Sequence, residues 1–252
     1  MATITQNEWN RYVALLRQLN EKAAMDIVTF MRHQILHLAP DSAIENITSE
    51  QRKELLDYAY AIVQQYGEGA AALSAEMYDA VAILEGRYIA PAEMAELANY
   101  GDVAKAVNGT LLQSNNLDEI ANAAARWVKM AGADTTLHNA VRDGAQVAWV
   151  PRGETCAFCI TLASRGWQYA SKSTIKNGHA EHIHSNCDCQ YAVRYNERTQ
   201  VAGYDPEEYK AMYYGVDNEL KEEGIKITPQ SRINAMRRNA YTDGNDETLI
   251  DV

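Results

Sequence analysis

The chain has 252 residues, 47% hydrophobic and 23% charged, an ordinary globular composition that can bury a real core as one sizeable domain or two modest ones. Thirty-four acidic side chains against 23 basic ones leave a net charge of −11, which disfavours a protein that wraps duplex DNA, because neutralising phosphates needs a concentrated basic face. No apolar run reaches the length of roughly 18 residues that a membrane span requires, and the opening Met1–Glu8 stretch lacks the basic and apolar segments of a secretory signal, so synthesis in a cytoplasm is expected.

From the N-terminus the pattern is helical. Thr5-x-x-Glu8 has capping-box spacing, and Trp9, Tyr12, Val13, Leu16 and Leu19 follow at helical intervals. The pattern continues through Ala23, Ile27, Phe30 and Met31 and is expected to fade before Pro40. A second capping box, Thr48-x-x-Gln51, opens a helix with Leu55, Tyr58, Ala59, Ile62 and Tyr66 on its buried side, which Gly67 and Gly69 are expected to break. Ala70 to Leu84 reads as a separate alanine-rich helix with Leu73, Met77, Val81 and Leu84 as its stripe, closed by Gly86. Pro91 suits the first turn of the next, which carries Met94, Leu97, Ala98 and Val103 as far as Asn108-Gly109. Asn116-x-x-Glu119 caps another with Ile120, Ala124, Trp127 and Val128, ending near Gly132, and a shorter helix is expected over 135–142.

The texture changes at Gly144. Gln146–Val150 is a short β-like run ended by Pro151, and Gln190–Tyr195 alternates like a second strand. Beyond them Asp205-Pro206-Glu207 starts a helix with Tyr209, Met212, Tyr213, Val216 and Leu220, and Pro229 starts a last one with Ile233, Met236 and Arg237. Arg237-Arg238, the densest basic pair, suits a solvated helix face, and the acidic tail after Tyr241 is expected to fray or to meet a partner. The predicted fold is mainly α: a multi-helix N-terminal region over 1–143, a small α+β Cys/His module over 144–196, and C-terminal helices with the acidic tail over 197–252. His33, His37 and His138 are scattered singly and read as solvated or hydrogen-bonded side chains.

All four cysteines and three of the six histidines fall between Cys156 and Cys189. Cys156-x-x-Cys159 can bend a tight loop so that both thiolates face one ion. Cys187-x-Cys189 reaches a common metal from an irregular turn, and His184 stands three residues before Cys187. A closed structural zinc site takes four ligands, so five candidates leave one over. The preferred set is the four cysteines, with His184 able to replace one. Metal-free packing of the thiols and a disulfide are the alternatives, the latter disfavoured in a reducing cytoplasm. The two short strands would make a unit too small to stand without a metal or docking onto the helices.

Enzymatic readings are weaker. Zinc deaminases place His-x-Glu before their Cys-x-x-Cys, whereas His179-Ala180-Glu181 comes after it. Glu181-His182-Ile183-His184 between two cysteine pairs is similar to the ββα-metal (HNH) nucleases, with His182 as general base. That fold, however, calls for a second Cys-x-x-Cys and a ligand on a following helix, for which Asn196 is the nearby candidate. No P-loop, dinucleotide fingerprint or G-x-S-x-G is present.

Cys156-x-x-Cys159, a linker with Arg165-Gly166-Trp167, and a closing His184-x-Asn186-Cys187-x-Cys189 resemble the phage head-morphogenesis family of Mu F-like minor head proteins. The run Val150-Pro151-Arg152-Gly153-Glu154-Thr155 before Cys156 resembles versions from tailed phages of actinobacteria. Ser185 stands where that family's closing motif usually has Pro, which leaves every candidate ligand in place. The resemblance implies a low-copy virion component, made in the bacterial host and built in near the portal or inner capsid. Its partners would be the portal or major capsid protein, with packaged DNA reached only indirectly and no membrane involved. A structural zinc and a binding role, without catalytic residues, are expected; the alternatives are an HNH-like nuclease or a capsid maturation protease.

Overall fold

A computed structural model describes residues 3–37, 44–152, 155–171 and 189–239. Helix α1, Gln6–Phe30, starts at the expected capping box: Glu8 donates its backbone N–H to Thr5 Oγ1 at 3.2 Å, and Thr5 N–H is bound by Glu8 Oε2 at 2.8 Å. The helix runs on into a π-helical turn, Met31–Ile35, and stops at His37, whose φ of 49° leaves helical space. Helix α2, Ser49–Leu84, opens with the second expected box, Thr48 against Gln51.

Gly67 and Gly69 do not break α2, which runs unbroken for 36 residues. At each glycine a leucine from another element packs at ordinary contact distance. A Cβ on Gly67 would stand 3.5 Å from Leu97, and one on Gly69 would stand 3.6 Å from Leu19. The buried stripe beyond them is small at first, Ala70, Ala71, Ser74 and Ala75, before Tyr78 and Val81, with Leu84 turned outward. Gly132 likewise leaves α4, Leu117–Asp143, unbroken, joining the two helices expected on either side of it, but here the approach is tighter. A Cβ there would stand 2.7 Å from Ser74 Oγ and 3.3 Å from the Ala70 carbonyl oxygen. Glycine costs a helix interior about 0.5–1 kcal/mol relative to alanine. Burial of the facing helices against it outweighs that cost.

The helix expected from Pro91 is not formed. Residues 87–99 run without regular structure, and α3, Tyr100–Leu111, begins only where Asn99 caps it. Side chains of the flanking helices take over the backbone groups of this strap. Asn139, buried on α4, accepts from Glu93 N–H at 3.0 Å and donates to the Glu93 carbonyl at 2.8 Å. Thr135 accepts from Ala95 N–H, Asp79 from Ala92 N–H, Gln64 donates to the Ala98 carbonyl, and Arg142 donates to the carbonyls of Ala90 and Pro91. An extended segment whose polar backbone is satisfied in this way has no need of its own helix.

Gly144, at φ 64°, ends α4 and turns the chain into β2, Gln146–Val150. Strand β2 is central in an antiparallel sheet, between β3, Gln168–Tyr169, and β4, Gln190–Arg194. β4 is buried on both faces from Gln190 to Val193 rather than alternating, because the sheet lies against α2 and α4. Helix α5, Ala157–Ala163, sits between β2 and β3. In a separate two-stranded sheet β1, Thr3–Ile4, pairs in parallel with β5, Gln200–Val201. Helices α6, Pro206–Gly215, α7, Asp217–Glu222, and α8, Pro229–Arg238, follow, the first and last beginning at the predicted prolines.

The architecture is therefore mainly helical with a few short strands. One apolar core runs through both, from Trp9, Ile27 and Leu55 through Val128 to Trp149, Tyr191 and Val201. A second, much smaller core gathers Ala157 and Ile160 of α5 with Tyr213, Val216, Leu220, Ala235 and Met236. Among the described residues no helix is long and apolar enough to cross a membrane.

Candidate metal centre between Cys156 and Cys189

Strand pairing closes the cysteine-bearing stretch at its base. In the β2–β4 ladder Val150 faces Gln190, so the chain leaving β2 towards Cys156 and the chain arriving through Cys189 stand side by side. Cys156 is the N-cap of α5, and its Sγ accepts the Cys159 N–H at 3.4 Å. The Cys-x-x-Cys spacing thus folds as the first turn of a helix, which carries both thiols to one end of it. Cys156 is half-buried, whereas Cys159 and Cys189 are each 1% exposed and belong to the main core.

Tyr209, on α6, registers both sides of this arrangement. Burial pushes its phenol up, and Cys189 and then Glu208 act in the same direction. A hydrogen bond with Thr155 opposes them, and Cys159 adds a last upward contribution. The ring lies 5.9 Å from that of Tyr204, whose hydroxyl donates to the Ala163 carbonyl at the end of α5 at 2.8 Å. Trp167, from the linker that carries the resemblance, meets Tyr204 edge to face and carries the Arg194 guanidinium 4.5 Å from its ring centre.

Of the five candidate ligands, the structure describes Cys156, Cys159 and Cys189. His184 and Cys187 lie outside the described residues, as do His179, Glu181, His182 and Asn186. Among the described residues no three His, Cys, Asp or Glu side chains stand together as a metal site. Thiol and imidazole side chains of the kind these five residues carry are donors that a structural zinc takes. Asn196, the candidate nuclease ligand, is placed in a turn after β4 rather than on a helix, with its side chain accepting from Arg198 N–H.

Two further features escape a sequence reading. Asp134, half-buried on α4, has its carboxyl pushed up to about 6 by burial, with His138 pulling the other way, and it acts electrostatically on Tyr191 of β4. A cleft of about 510 Å³ opens between α1 and α4 and reaches Cys189 and Gln190, with Asn20 and Lys129 among its buried polar walls. Neither has a motif; each is assembled from residues distant in sequence on different elements. A polar or charged residue set within an otherwise apolar helix face, as at Asn20, Lys129 and Asp134, is the signal that would have found them.

No curated protein and no solved structure matches the chain. A family model does: that of the VG15 proteins aligns with residues 3–216, from β1 through the whole of α6 and across the entire cysteine stretch. The chain accordingly belongs to the VG15 protein family, a viral (phage) family.

Proposed function

We propose that this phage protein is a minor capsid, or head-morphogenesis, protein of the Mu F-like kind. It is a low-copy virion component that works by binding the portal or the inner face of the major capsid shell. Four of Cys156, Cys159, His184, Cys187 and Cys189 hold a structural zinc that braces the segment between β2 and β4. The observation that carries this reading is the closure of the stretch at Val150–Gln190 with Cys156 capping α5, inside a span matched throughout by a phage family. Zinc supplies a cross-link there; the long helices supply the surface that meets the shell.

Elemental analysis of the purified chain is expected to give about one zinc per molecule. Cys159→Ser should destabilise it by several kcal/mol, on the order of 3–5, because metal-binding energy in so small a unit is folding energy. A metal-free protein whose melting ignores chelators would remove the zinc from the reading. Co-expression with portal and major capsid proteins tests the rest, since association with neither would overturn a virion role. Plasmid nicking that depends on Mg²⁺ or Mn²⁺ and disappears in His182→Ala would transfer the assignment to a nuclease.

A further inference from the structure

We infer that helices α6–α8 form a clamp that gates the Cys159 thiol by holding α5 down from its outer side. Helix α5 has only seven residues, too few to persist in water without neighbours. Its two faces are committed to different cores. Cys159, Leu162 and Ala163 enter the main core, whereas Ala157 and Ile160, one turn apart, enter the small core built by Tyr213, Val216, Leu220, Ala235 and Met236. Tyr209 packs against both.

The turn after α5 is drawn against the clamp as well. Gly166, at φ 65°, lets the chain pass so close to the start of α6 that a Cβ would stand 3.3 Å from Pro206. The clamp's own cohesion rests on that small core, on the partly buried Arg232–Asp217 pair, bidentate at 2.7 and 2.8 Å, and on the more exposed bonds of Arg238 to Glu219 and Glu223. So few buried groups favour opening of this part before the larger bundle opens. When the clamp lifts, the outer support of α5 goes with it, and the sulfur buried on its inner face becomes reachable. Residues 217–238 of the clamp lie beyond the span matched by the family.

The inference rests on packing and goes beyond the zinc reading; the test is therefore run on the full-length protein as purified, with hydrogen exchange of α5 read beside the labelling so that a bound ion shielding the sulfur is told apart from a closed clamp. N-ethylmaleimide labelling, resolved by cysteine with mass spectrometry, is compared between wild type and Leu220→Ala, with hydrogen exchange of α2 and α4 as the reference for global opening. Labelling of Cys159 should accelerate about tenfold or more while α2 and α4 keep their protection. Unchanged exchange of α5, an α5 that opens while Cys159 labels no faster, or changes only in step with α2 and α4 overturn the clamp. Met236→Ala, on the opposite wall of the same core, repeats the measurement should Leu220→Ala fail to fold.

Discussion

The N-terminal helices and the C-terminal clamp use opposite means of holding helices together. In the first, long helices approach closely because alanine and glycine line their contacts, so that α1, α2 and α4 share one large core. In the second, three helices of ten residues or fewer share a handful of buried groups and borrow two of them from α5. Close backbone packing makes a rigid body that tolerates little change in volume. A small borrowed core gives a part that can move as a unit while the rest stays folded.

Truncating Trp9, 1% exposed in the bundle, is the most severe way to press this contrast. Trp9→Ala should cost about 3–5 kcal/mol in urea unfolding and lower the stability of the whole chain, whereas Leu220→Ala should act chiefly on 206–238. A Leu220→Ala chain that loses protection everywhere would show that the two parts are one cooperative unit.

The strap offers the next effect in size. Asn139→Ala removes the partner of both backbone groups of Glu93 and should cost roughly 2–3 kcal/mol, with hydrogen exchange faster at 92–96 than elsewhere. Unaltered exchange there would mean that the strap is held by its apolar contacts alone.

Asp134 should make the bundle sensitive to pH. Its folded-state carboxyl is raised from 3.8 to about 6, so the folded chain binds the proton more tightly than the unfolded one. Stability is therefore lost as pH rises from about 4 to about 6, and the penalty is complete above that range. Asp134→Asn should remove this dependence and raise stability at neutral pH by ~1–3 kcal/mol, while leaving it little changed near pH 4. Parallel pH profiles for the two proteins would rule out the effect.

The mildest pair of changes separates two glycines that look alike in sequence. Gly132→Ala puts a methyl within 2.7 Å of Ser74 Oγ and should cost about 1–2 kcal/mol. Gly67→Ala meets Leu97 at an ordinary 3.5 Å and should gain about 0.5 kcal/mol through the helix propensity of alanine. Equal shifts in melting temperature for both would contradict the close approach at Gly132.

These glycines also mark how much of the fold could be read from the sequence. Caps were legible because their chemistry is local: Thr5 with Glu8, Thr48 with Gln51, Pro206 and Pro229 all start helices where expected. The two strands flanking the cysteines were legible from their short apolar runs, though their pairing with each other, between residues about 40 apart, was not. Gly67, Gly69, Gly132 and Pro91 misled because a propensity of about 1 kcal/mol is weaker than what distant residues supply, whether packing of leucines over Gly67 and Gly69, close helix contact at Gly132, or the side chains of Asn139 and Thr135. At the candidate site the cysteines announce themselves by spacing, but Tyr209, which senses two of them from α6, has no pattern to betray it.

The parallel pairing of Thr3–Ile4 with Gln200–Val201 bears on how the chain is made. A ribosome releases the first strand nearly two hundred residues before its partner exists, so during most of translation the leading end of α1 is tethered only by its own cap and apolar face. The helical body can assemble as it emerges, but this last stitch waits for late-synthesised sequence. A peptide appended ahead of Thr3 would have to leave that narrow two-residue seam clear, or the finished molecule would begin with a loose end.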